Sequence, residues 1–196
     1  MERSRLEAFS DGVFAVAITL LALDLVVAGP GHGSLVEQLG DRWPSFVAYL
    51  ISFFTIGVIW VNHHALLRNV AAVDRTLLFV NLVLLLFVVL IPFATRTMAE
   101  YVTTGGQDAH VSMALYAAVF EAMGLSFAAM FAWTMGEGRT IQAVPRAAQR
   151  AAWVRFSPGM LAYLVAIGVA FVSAPAALAI VGLVAVYYVF ERTPQG

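Results

Sequence analysis

The run Arg5-Leu6-Glu7-Ala8-Phe9-Ser10-Asp11 leads straight into the segment Gly12–Ala28, in which Thr19 and Asp24 are the only polar residues. A carboxylate at the centre of a bilayer costs about 2.5–3.5 kcal/mol on insertion scales. Asp11 and Asp24 therefore read as functional groups whose partners have to be found. Further along, Trp60-Val61-Asn62-His63-His64, Asn81 and Glu121 interrupt apolar stretches in the same way. Hydroxyl, amide, imidazole and carboxylate groups in such surroundings tie helices together, pass protons, or face a path for ions. If these residues lie at one depth, Arg5, Ser10, Asp11, His63 and Asn81 suffice for a single polar cluster between helices, with Trp60 beside it. Holding the first helix is the favoured role of that cluster, because each unsatisfied group would cost several kcal/mol in lipid. Glu121 has no evident partner, with Arg96 or a neighbouring subunit as candidates.

The elements that must position these groups are membrane helices. The chain is 61% hydrophobic and only 12% charged, whereas soluble domains carry about 25% charged residues. Absence of cysteine excludes disulfides and thiolate metal sites. A formal charge of −1 gives no reason to expect nucleic-acid binding, and no cofactor is implied. At about 20 apolar residues per crossing, the pattern predicts one all-α domain over 1–196 with six spans. These are Leu6–Ala28, Ser45–Leu67, Leu77–Met98, Val111–Met135, Phe156–Ser173 and Ala176–Phe190, the last two divided at Ser173-Ala174-Pro175. Six spans place Arg3, Arg5, Arg68, Arg75, Arg139, Arg146, Arg150, Arg155 and Arg192 at one side, and only Arg42 and Arg96 at the other. The positive-inside rule then puts both termini in the cytoplasm. As a cleaved signal peptide the first span would end at Val26-Val27-Ala28, but Glu2, Glu7, Asp11 and Asp24 argue against that reading.

At about 100° per residue, Gly12, Val16, Thr19, Leu20 and Leu23 share one face of the first helix, and Asp11 lies about 140° from Val16. If that helix borders an axis, the apolar stripe and Thr19 face it while Asp11 points back into the bundle. Ordinary helix packing, with Gly12 allowing close approach, is the plainer account of the stripe.

The string R-x-x-x-F-S-D, formed by Arg5, Phe9, Ser10 and Asp11 ahead of Gly-Val-Phe-Ala-Val-Ala-Ile-Thr-Leu-Leu, resembles the signature of the transmembrane-protein-175 type of endosomal and lysosomal potassium channels and their shorter prokaryotic relatives. Trp43-Pro44, Trp60 with His63, Asp74, Asn81-Leu82, Leu90-Ile91-Pro92-Phe93 and Glu100-Tyr101 extend the likeness through the first hundred residues. Beyond them, Tyr116 and the region Ser157-Pro158 to Tyr163 add to it. The resemblance implies a homotetramer in the plasma membrane of a prokaryote, conducting K+ and other monovalent cations through a central pore lined by the first helix. It implies a constriction at Val16, Leu20 and Leu23 and a selectivity role for Thr19, with no carbonyl filter. Val16 departs from the bulkier residue usual there, which leaves a wider neck. Asp24 is then expected at the outer mouth, where a ring of charges concentrates cations.

A proton-permeable channel or proton-coupled carrier working through Asp11 and His63 is the alternative from another class. Carriers of that kind show a helix broken at mid-membrane and an internal repeat, and neither is evident here. Nor does the chain contain H-E-x-x-H or G-x-S-x-G, so an enzyme is not expected.

Overall fold

In the computed structural model, which describes residues 2–190, the chain folds into seven helices. They are α1 (Arg3–Ala22), α2 (Leu35–Asp41), α3 (Trp43–Arg68), α4 (Arg75–Tyr101), α5 (Gly106–Thr134), α6 (Arg146–Ala170) and α7 (Ala174–Phe190). By length and composition α3, α4, α5 and α6 can each cross a membrane. The other long helices are α1, whose first half carries Arg3, Arg5, Glu7 and Asp11, and α7, with 17 residues.

Helix boundaries correct the expected spans at several points. α1 ends at Ala22, with Leu23 as its cap, and not at Ala28. It starts early enough that its 20 residues already reach about 30 Å at 1.5 Å each, leaving Val26 and Val27 to the loop. The fifth span begins at Arg146, ten residues before Phe156, so Arg150 and Arg155 are helical. The short helix α2 was not expected. Its start is fixed by a capping box, in which the Ser34 hydroxyl accepts from the Glu37 N–H and Glu37 accepts from the Ser34 N–H.

The long helices alternate in direction, so the arginine pattern acquires a geometry. At one end Arg3 donates to the Arg68 carbonyl (2.9 Å), and the α3–α4 and α5–α6 connectors meet through Ala71 N–H to Arg139 O (2.9 Å). Arg42 and Arg96 line one cavity at the opposite end. Arg192 lies outside the described residues.

α4 packs on α5, and α5–α6–α7 form the other side of the bundle with α3 between. Among the described residues α1 packs only on α3 and α4, which leaves it at an edge. Buried Ala166 and Ala170 on α6, and Ala174, Ala177 and Ala185 on α7, let those two helices approach closely. Where Pro158 removes a backbone donor inside α6, neighbours supply the missing bonds. Ser157 donates to the Val154 carbonyl (3.3 Å), the acceptor that Pro158 would have served. The Tyr188 hydroxyl of α7 accepts from the Gly159 N–H (3.2 Å) and donates toward the carbonyls of Phe156 (3.0 Å) and Arg155 (3.3 Å).

A Cβ on Gly159 would overlap the Tyr188 hydroxyl and ring. Gly159→Ala should therefore push the tyrosine off the exposed turn and cost about 1–3 kcal/mol, the usual range for overpacking. The expected readout is a lower midpoint of thermal unfolding in detergent, and an unchanged midpoint would show that α6 does not need this contact.

Candidate functional site: the α1 helix and its two faces

The buried face of α1 carries Leu6, Ser10, Phe14, Ala17 and Leu21, at spacings of three and four residues. Ser10 sits at the junction of three helices and is fully buried, as are Asn81 of α4 and, at 1% exposure, His63 of α3. An amide oxygen only accepts, so the 2.7 Å contact requires His63 Nε2–H to donate to Asn81 Oδ1. Asn81 Nδ2 donates to Ser10 Oγ (3.1 Å), and the Ser10 hydroxyl donates to the Leu6 carbonyl (2.9 Å). The Ser10 hydroxyl also lies 3.5 Å from Asn81 Oδ1, so the three side chains form one contact that joins α3, α4 and α1. The Phe14 ring, one turn further along α1, packs at 5.3 Å on the His63 ring and keeps it in place.

The expected single cluster is in fact two separate contacts. Asp11 does not join His63; its Oδ1 accepts from the Trp60 indole N–H at 2.8 Å, on the more exposed flank of α3. Among the described residues no hydrogen bond links Asp11 to His63, so the proton route named as the alternative has no direct connection between that pair. Arg5 takes no part in either contact. It precedes Ser10 by five residues, a rotation of about 140°, and it is exposed. Nor does Glu121 meet Arg96, which pairs instead with Asp24 (3.6 Å) and Glu100 (2.9 Å). Glu121 is buried on α5, and its Oε2 has no partner among the described residues.

The opposite face of α1 is built very differently. Arg5, Phe9, Gly12, Val16, Thr19, Leu20 and Leu23 fall within about 100° of arc, and no helix of the same chain covers them. Phe9 is 53% exposed, Val16 56% and Leu23 69%. Thr19 donates to the Val16 carbonyl at 2.9 Å, so its hydroxyl proton is used within the helix and its oxygen lone pairs point outward. Beyond the helix end, Asp24 lies beside a cavity of about 310 Å³ between α1, α3 and α4, and its charge is met by Arg96 rather than left free.

The family profile described as "Endosomal/lysosomal potassium channel TMEM175" matches residues 5–92, which take in α1, α3 and the part of α4 that holds Asn81. A protein named potassium channel from Streptomyces collinus is 46% identical over 195 residues, covering 98% of this chain and 94% of its own. The chain belongs to the TMEM175 family. A second relative, named potassium channel from Chamaesiphon minutus, is 37% identical and is matched over 95% of this chain and 93% of its own. The crystal structure of a lysosomal potassium-selective channel TMEM175 homolog from Chamaesiphon minutus superposes with a TM-score of 0.84 at 35% identity, over 96% of both chains. The likeness therefore runs through the second hundred residues as well, where individual motifs in the sequence are sparse.

A second polar contact in the TMEM175 fold went unread in the sequence. Ser52 of α3 bonds Thr95 of α4 (2.8 Å) and the Tyr116 hydroxyl of α5 (2.9 Å), again joining three helices. Its signal was available, since Ser52 and His63 lie eleven residues apart and so share one face of α3.

The two contacts on α1 should differ in weight. Asn81→Ala strands the buried His63 Nε2–H and should cost about 1–3 kcal/mol. Asp11→Ala removes a bond to a carboxylate, a class worth about 1.5–3 kcal/mol, but it frees an indole that water or lipid headgroups can reach, so the loss should be the smaller of the two. Thermal unfolding of the two variants side by side checks the order; equal losses would mean that Asp11 has a further buried partner.

Proposed function

We infer that four copies of this chain form a potassium-permeable cation channel, with α1 of each copy around a central axis. The uncovered apolar stripe of α1 carries this reading. One α1 cannot enclose a pore. Lipid tails would cover Phe9, Val16 and Leu23 as well as a protein face does, so it is the channel relatives that favour an axis over lipid for this stripe. Symmetric assembly around an axis covers such a stripe in every copy at once. The names of the full-length relatives, potassium channels in both cases, supply the ion. An ion-channel family also fits the expectation that this is not an enzyme.

In this arrangement α1 and α3 to α7 are the six spans, α2 lies outside, and the arginine-rich end faces the cytoplasm of a prokaryotic cell. Val16, Leu20 and Leu23, at i, i+4 and i+7, line about 10 Å of the path at 1.5 Å per residue. Four apolar side chains per level exclude water from a narrow neck, so closure needs no plug and opening needs only a small splay or rotation. K+ gives up water more readily than Na+, and an apolar neck favours it. Thr19 contributes four oxygen lone-pair sites within the same stretch, because its proton is already bonded to the Val16 carbonyl. With Arg96 beside it, Asp24 concentrates cations at the outer mouth less than a free carboxylate would.

Purified protein in liposomes under a K+ gradient, with Na+ and proton controls, tests this directly. Leu20→Asn should wet the neck and raise resting K+ flux severalfold while lowering the preference for K+ over Na+. Thr19→Val should keep the flux apolar-gated but reduce that preference. A mass measurement in detergent should give four chains. A monomer, or flux indifferent to both substitutions, would move the permeation path away from α1.

A further inference from the structure

Away from α1, an apolar cavity runs between α3, α5, α6 and α7. Its deeper part, about 50 Å³, is lined by Thr55, Met123, Gly124, Phe127, Met160 and Tyr163 among others. Val58, Phe127, Phe131, Phe156 and Tyr188 are shared with a wider part of about 190 Å³, which also touches Asn62, Leu66, Ala152 and Arg155. Leu66 lies near the end of α3 and Ala152 near the start of α6, so the wide part opens toward the arginine-rich end. The cavity therefore leads from the level of Arg155 inward between the helices.

Water is a poor occupant of such a space, since a water needs two to four polar partners and apolar cavities stay dry. Hydrocarbon is the solvent next to it. Basic pockets between helices at the cytoplasmic side are suited to anionic lipid headgroups, and Arg offers phosphate a paired, charge-assisted contact. Arg150 and Arg146, on the preceding turns of α6, add positive charge on the same side. The Tyr188 hydroxyl, bonded into α6 beside Pro158, leaves its ring as part of the cavity wall.

We propose that this cavity seats one acyl chain of an anionic phospholipid, with the phosphate on Arg155. The site rests on membrane insertion alone and is separate from the α1 stripe, so it stands or falls independently of conduction.

Native mass spectrometry of the assembled protein decides it, with phosphatidylglycerol and phosphatidylcholine of identical dioleoyl chains as probes. The protein should retain phosphatidylglycerol severalfold better than phosphatidylcholine. Arg155→Gln should abolish that preference, leaving both lipids at the weaker level. Ala128→Phe, which fills the cavity from α5, should lower retention of both, and Gly124→Leu enters the same space if Ala128→Phe fails to fold. Equal retention of the two lipids by the unaltered protein would overturn the site. So would phosphatidylglycerol binding that survives both changes, which is the behaviour of lipid bound only around the perimeter. If filling the cavity dissociates the oligomer while lipid binding persists, the occupant is a neighbouring copy, and the proposal fails.

Discussion

Helices in a bilayer gain little from hiding apolar surface, because the lipid tails are as apolar as leucine. What holds one helix to another is then close packing and whatever polar groups can be matched inside. In this chain the Asn81 amide is the group on which the position of α1 depends. Its oxygen takes the His63 proton and its nitrogen serves Ser10, so one side chain on α4 bonds both α3 and α1. The task needs a donor and an acceptor on one side chain, which an amide has and a carboxylate lacks. Among the described residues α1 leans on α3 and α4 alone, so this contact and its apolar surroundings define which face of α1 is turned inward and which is left uncovered.

That division explains how the R-x-x-x-F-S-D string works as a unit although its members do not touch one another. Ser10 enters the three-helix junction, Asp11 reaches sideways to Trp60, and Arg5 and Phe9 stand on the uncovered stripe. Consecutive residues on a helix differ by about 100°, so a string of seven samples every direction around α1. The motif therefore specifies rotation: turning α1 by one residue would bury Asp11 against Asn81 and withdraw Val16 and Leu23 from the stripe.

The all-helical class, the long apolar elements, the two-ended arginine distribution and the stripe on α1 were legible in the sequence, because each depends on composition or on helical period. The Ser10–Asn81–His63 contact was legible as a set of buried polar groups in need of partners. Its separation from Asp11 and Arg5 was not, since hydropathy gives depth in the membrane and not the rotation that decides which groups meet. The end of α1 at Ala22 was misread for a related reason. A hydropathy pattern runs on through Val26 and Val27, while the pairing of Asp24 with Arg96 depends on α4, seventy residues away. The α6–α7 lock at Pro158 was equally hidden, because the donor that mends the helix comes from Tyr188.

The polar contacts near the two ends of α1 are of unequal strength. The inner tie is buried and hydrogen-bonded, and neutral bonds of that kind are worth about 0.5–1.5 kcal/mol each, with a larger cost for leaving a group orphaned. At the other end the Asp24–Arg96 pair is 3.6 Å apart, with side chains 27% and 62% exposed. Solvent-accessible pairs of this sort contribute about 0–1 kcal/mol. Between these two ends Phe14, Ala17 and Leu21 are buried against α3 and α4. Close packing therefore holds the outer half of α1, and the small Ala17 lets the helix sit near its neighbours. The polar contact at Ser10 adds what apolar packing alone specifies poorly, the rotation of the helix about its own axis.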